Sequence, residues 1–198
     1  MNTYKTIKGT TTAEFRDRGS KFLAYTYPLN HADELKTHIQ ILKKEHPKAV
    51  HHCYAYRIGI DGQQFRANDD GEPSGSAGRP ILGQIDSAGL TNILVVVVRY
   101  FGGTLLGVPG LINAYKTVTT DALALCEVVE KHIEYTLGLS FDYTIMNEVM
   151  TVLKQYEVSI LKQDMQLFCE YTIGIPLIHK EACLQRLADI YGLTIVDG

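Results

Sequence analysis

The chain has 198 residues, 45% of them hydrophobic and 21% charged, with a net charge of −3. That is the composition of a soluble globular protein with room for one large domain or two small ones. It excludes a membrane span, which needs ~18 consecutive apolar residues, and it excludes a chain that grips nucleic acid over its whole surface.

The first residues, MNTYKTIKGTTTAEFRDRG, are polar and carry no apolar signal-peptide core. Three strands are expected early, over YKTIKG, TAEFRDR and SKFLAYTYPL, with a turn at Asp17-Arg18-Gly19. HADELKTHIQILKKEH puts Leu35, Ile39 and Leu42 on one helical face and is stopped by Pro47. AVHHCYAYRIGI alternates as a strand. Asp61-Gly62 turns it into QQFRA, a hairpin. AGRPILGQIDSAG predicts a short helix, with Ser74 or Ser76 as its cap. NILVVVVRYF is apolar through its first positions, the pattern of a strand covered on both faces. PGLINAYKTVTTDALALC is a long helix with Pro109 in its first turn.

From residue 130 the order becomes strand, helix, two strands, helix, strand: KHIEYTLGLSFD, TIMNEVMTVLKQYE, SILKQDMQLF, CEYTIGIPL, HKEACLQRLADIYG and LTIVDG. This is the ferredoxin-like split βαβ plan. The fold expected is therefore α+β in two domains, residues 1–129 and 130–198. Charge divides the same way: 14 Lys+Arg against 12 Asp+Glu in the first, 5 against 10 in the second. A site for a polyanion belongs in the first domain, as a local patch.

Two stretches stand out. In residues 95–110 a valine run delivers Arg99, Tyr100 and Phe101 to Gly102 and Gly103, and Gly107 and Gly110 then open a helix whose N-terminus suits an anion. No Gly-Lys-Ser/Thr follows, so this is not a P-loop. In residues 68–82 the carboxylates Asp69, Asp70 and Glu72 lie among glycines, Ser74 and Arg79. Turn chemistry with salt bridges is the plain reading; Mg²⁺ binding is the sharper one. Arg99 reads equally as a ligand contact or as the buried partner of an acid from that loop. His51 and His52, adjacent on a strand, face opposite sides. Arg16, Arg18 and Lys21 read as a solvated hairpin face or as phosphate contacts. Tyr54, Tyr56 and Tyr100 pack across strands or stack on bases. Cys53, Cys126, Cys169 and Cys183 form no CxxC pair and read as reduced thiols of a cytoplasmic protein, without zinc. No catalytic nucleophile arrangement is present.

RGSKFLA (18–24), VHHCYAY (50–56), DDGEPSGSAGRPIL (69–82) and VVVVRYFGGTLLGVPGL (95–111) together resemble the YigZ/IMPACT family. The resemblance implies a first domain similar to the second domain of a small-subunit ribosomal protein and to domain IV of elongation factor G. It implies a C-terminal domain similar to domain V of that factor, and a member without the additional N-terminal partner-binding domain of eukaryotic members. Those eukaryotic members regulate translation under amino-acid starvation by competing for an activator of a translation-initiation kinase. The expectation is a non-enzymatic, translation-linked module without cofactor that contacts RNA or the ribosome. Its contacts would be Lys21, His51, Arg79, Arg99, Tyr100, Phe101, Gly102, Gly103, Gly107 and Gly110. The alternatives are an enzyme acting on a phosphorylated small molecule or nucleotide, with Mg²⁺ on Asp69, Asp70 and Glu72, and a protein-interaction adaptor. The sequence leaves the oligomeric state open.

Overall fold

A computed structural model of the chain describes residues 2–60 and 63–197; the expected Asp61-Gly62 turn lies outside them. The chain divides into two compact units, Tyr4–Lys131 and His132–Gly198 with Met1–Thr3. Both are mixed α+β.

The first unit is built on a five-stranded sheet. Its strands are β2 (Thr11–Asp17), β3 (Ser20–Pro28), β4 (His51–Ile58), β5 (Gln64–Asn68) and β6 (Ile93–Tyr100), in the order β2-β3-β6-β4-β5. Every pairing is antiparallel. Helix α1 (Glu34–Glu45) covers one face; α2 (Gly78–Ser87) and α3 (Gly107–Ala124) cover the other. β6 is central, and its apolar run serves both layers. Val95 and Val97 pack with Phe22, Cys53, Ile81, Leu111 and Tyr115 on the α2/α3 side. Leu94, Val96 and Val98 pack with Leu42, Tyr54 and Tyr56 on the α1 side. Burying each valine is worth roughly 1.5–3 kcal/mol, against about 1–2 kcal/mol for ordering its backbone, so the strand is a firm support for whatever follows it.

Local sequence sets the elements around it. Leu35, Ile39 and Leu42 turn toward the sheet from α1. The Glu34 carboxylate accepts from the backbone N–H groups of Asn30 and His31 at 3.2 and 2.8 Å, tying down the approach to that helix. Pro47 follows its last turn. The first strand, β1 (Thr3–Lys8), does not join the main sheet. It pairs with β7 (Glu127–His132) in a two-stranded ribbon. The single strand expected over KHIEYTLGLSFD is thus two, β7 and β8 (Glu134–Phe141), which meet at Ile133: its N–H donates to the carbonyl of Asn2, just before β1, and its carbonyl accepts from the N–H of Leu177, just after Pro176.

The second unit runs β8, α4 (Met146–Gln155), β9 (Ser159–Met165), β10 (Cys169–Pro176), α5 (Lys180–Ala188) and β11 (Thr194–Asp197), with sheet order β11-β8-β10-β9. This is the expected split βαβ topology. Leu137, Leu139, Phe141, Ile173 and Ile175 face Val149, Val152, Leu153 and Leu187 of the helices. The opposite face of the sheet has no helix over it among the described residues.

Candidate functional site

Strand alternation decides which residues of the first unit meet. Phe22, His51 and Arg99 stand side by side across β3, β6 and β4, on the face that α2 and α3 cover. Lys21 and Tyr100, one residue away, belong to the α1 face.

On the α2/α3 face Arg99 is 5% exposed. Its Nη1 donates to Glu72 Oε1 at 2.6 Å, and the Tyr115 hydroxyl of α3 donates to the same oxygen at 2.7 Å. Its Nη2 reaches Ser20 Oγ at 3.5 Å, and its Nε has no partner. The guanidinium lies 5.4 and 5.8 Å from the Phe22 and Phe101 ring centres. Cys53 Sγ donates to the Asp69 carbonyl at 3.0 Å and lies 3.3 Å from the Tyr115 hydroxyl. His51 Nδ1 lies 2.7 Å from the Asp70 carbonyl, an acceptor only, so the proton is on Nδ1. Its Nε2 then faces Glu72 Oε2 at 3.8 Å. Burial pushes the thiol of Cys53 and the phenol of Tyr115 well above their ordinary values, which leaves neither a nucleophile near neutral pH.

The acidic loop is built by its own carboxylates. Asp69 accepts from the backbone N–H groups of Gly75, Ala77 and Gly78 at 2.9, 3.1 and 2.8 Å. Burial alone would raise its carboxyl, but these three donors and the nearby Arg79 charge hold it below the usual range. Asp69, not Ser74 or Ser76, therefore caps α2. Ser76 Oγ donates instead to the Pro73 carbonyl, and Ser74 is exposed. Asp70, with φ at +42°, accepts from His52 N at 2.6 Å. With Glu72 on Arg99, all three carboxylates are engaged by protein donors. Among the described residues no group of three His, Cys, Asp or Glu side chains is placed to hold a metal ion. Arg79 is exposed on the first turn of α2.

On the α1 face the chemistry is different. Tyr100 Oη lies 2.8 Å from His46 Nδ1, and His46 Nε2 lies 2.7 Å from Tyr25 Oη. Lys21 Nζ is 3.5 Å from Glu14 and 5.7 Å from the Tyr100 ring centre. His52 is 7% exposed, and its Nε2 has no partner; burial draws its pKa below the ordinary imidazole value.

Where β6 ends, the chain crosses the β2–β3 turn. Gly102 N donates to Ser20 Oγ at 3.2 Å, and a Cβ on Gly102 would lie 1.9 Å from the Gly19 carbonyl carbon, so no other residue fits without moving backbone. Phe101, 48% exposed, stands beside this crossing. Beyond Gly103 the chain enters α3, which has no side-chain cap. Arg18, φ +43°, reaches over that helix start: Nη2 donates to the Leu106 carbonyl at 3.2 Å and would lie 3.2 Å from a Cβ on Gly110. Its Nε is 3.6 Å from Asp17, and its side chain is 52% exposed.

The residues singled out in the sequence thus fall into three groups. His51, Glu72 and Arg99 share a buried network with Tyr115, Cys53 and Ser20. Lys21 and Tyr100 lie on the other face, because neighbours on a strand point apart. Phe101, Gly102, Gly103, Gly107 and Gly110 line an open rim with Arg18. Arg99 is not placed to meet a phosphate, since it is covered and neutralised by Glu72. Tyr115 carried no sequence signal beyond its place in an apolar helix.

Residues 18–123 match the family model described as the Impact N-terminal domain. The chain is 36% identical over 178 residues to an IMPACT family member of Haemophilus influenzae, covering 88% of this chain and 86% of that protein. It is 34% identical over 174 residues to the IMPACT family member YigZ of Escherichia coli, covering 86% and 84%. A crystal structure of a protein called only hypothetical superposes with a TM-score of 0.79 at 30% identity, covering 100% of this chain and 98% of that one.

Proposed function

The chain belongs to the IMPACT family, and from that premise we propose that it is a translation-linked, non-enzymatic binding module whose first unit holds an RNA phosphate at the start of α3. The translation link rests on the family's eukaryotic members and on the expected kinship of both units with translation-factor domains. One observation carries the phosphate. Arg18 holds an exposed guanidinium over the first turn of α3, where unbonded N–H groups and the helix dipole are already positive. A cation there repels the helix end; an anion between the two satisfies both. Asp17, 3.6 Å from Arg18 Nε, offsets part of this charge.

The contrast with α2 supports the choice of helix. There the N-terminal donors are consumed by Asp69, so α2 offers nothing to an incoming phosphate. At α3 the Gly107 and Gly110 main chain, Arg18 and the exposed ring of Phe101 lie along one rim, a phosphate contact with a stacking surface beside it. Filter binding of structured RNA and of ribosomes at two salt concentrations tests the reading. Binding that weakens steeply with salt is expected. No binding at low salt, or binding indifferent to salt, would overturn it.

A further inference from the structure

β9 is an edge strand. It pairs with β10 on one side, and on the other its seven residues pair with no strand among the described residues. Natural edges are blocked by proline, charged side chains such as lysine, bulges that turn the strand away, or brevity. β9 carries no proline, and its one-residue bulge lies at Leu161, so that Lys162 to Met165 keep a regular register with β10. Apolar side chains are exposed along it and at the turn that follows: Leu161 at 53%, Met165 at 52%, Leu167 at 92% and Phe168 at 59%.

The charges on this strand are mismatched with their own sheet. Asp164 lies directly opposite Glu170 of β10, a like-charge pair on the face without helices. Lys162, on the same face, lies opposite Thr172 and makes no ion pair among the described residues. Asp164 is bonded only through Gln166 Nε2, at 3.3 Å. Strand β9 therefore carries an unused cation two residues from an anion crowded by another anion.

We propose that β9 is a self-pairing edge, and that two copies of the chain join there antiparallel about a twofold axis at Gln163. The segment Lys162-Gln163-Asp164 is self-complementary under that operation. Lys162 of one copy falls opposite Asp164 of the second, and the reverse. Gln163 falls opposite Gln163. The row Glu170–Asp164 then gains the second copy's Lys162, which relieves the like-charge contact twice in each dimer. The two four-stranded sheets become one eight-stranded sheet. Moving the axis by one residue to either side sets Lys162 against Lys162 or Asp164 against Asp164, and loses the match. An isologous contact of this kind closes as a dimer without further growth. This inference does not depend on the RNA reading.

The test uses the full chain. Sedimentation equilibrium of the wild type at tens of micromolar is expected to give a dimer. Lys162→Asp and Asp164→Lys, each alone, place like charges across the axis and are expected to give monomers, with circular dichroism unchanged. The combined variant restores opposite charges and is expected to restore the dimer. Gln163→Cys is expected to form a covalent dimer under mild oxidant, since the axis brings the two Cβ atoms within the ~4.5–5.5 Å of directly opposed strand residues. A monomeric wild type at those concentrations overturns the proposal. So does a dimer indifferent to both single charge reversals, or a Gln163→Cys variant that stays uncrosslinked while remaining dimeric.

Discussion

Arg99 and Tyr100 are neighbours in the chain, and they belong to two different chemistries. On the α2/α3 face a buried cation is held by a buried carboxylate, with Tyr115 and His51 completing the shell. On the α1 face a chain of hydroxyl, imidazole and hydroxyl links Tyr100, His46 and Tyr25. The first is costly to disturb because a charge would be left without its partner in a region of low polarity. The second can be trimmed, since water can replace what a partly exposed hydroxyl loses. One contiguous motif therefore makes no single site, and its two faces should respond to mutation by different amounts.

The largest difference is expected at Arg99. Arg99→Ala leaves Glu72 buried and unpaired, and should cost ~3–5 kcal/mol in urea unfolding of the full chain. Pairing Arg99→Met with Glu72→Leu should recover most of that loss, because apolar residues of similar size replace a buried ion pair at little net cost. Next comes Tyr115→Phe, which removes one of two short bonds to Glu72 and should cost about 1–3 kcal/mol. On the opposite face His46→Ala should cost about 0.5–1.5 kcal/mol, the worth of an ordinary hydrogen bond. A His46 loss equal to that of Arg99 would erase the distinction between the faces.

A smaller and pH-dependent effect is expected at His52. Its folded pKa is depressed by burial, below an unfolded value near 6.5. The unfolded state thus binds the proton more readily. Stability from this residue is full above about pH 6.5 and falls as pH drops through the lower folded value. Unfolding midpoints measured from pH 7.5 to 5 should decline, and His52→Gln should flatten that decline.

Much of the architecture was readable from residue order alone. The valine run of β6 is apolar without alternation because both faces are covered. The β-α-β-β-α-β order of residues 130–198 appears in the second unit with its helices on one side. What escaped was set by pairings distant in sequence. β1 leaves the main sheet to pair with β7, more than a hundred residues on, and no local pattern announces that. The site was legible as a set of residues but not as a partition. Alternation warned that His51 and His52 diverge, and the same rule separates Arg99 from Lys21 and Tyr100. The capping role of Asp69 was hidden because it lies nine positions before Gly78, the first residue of α2. Arg18 gains its meaning only from α3, which arrives some ninety residues later.

The arginines divide the labour: Arg99 holds the fold, and Arg18 is the ligand contact we propose. The most direct test is the salt dependence of RNA binding by Arg18→Asn, a residue that tolerates the left-handed backbone at that position. The expected result is an unchanged melting temperature, weaker binding, and a log–log salt slope reduced by about one. Wild-type affinity with an unaltered slope would contradict the account.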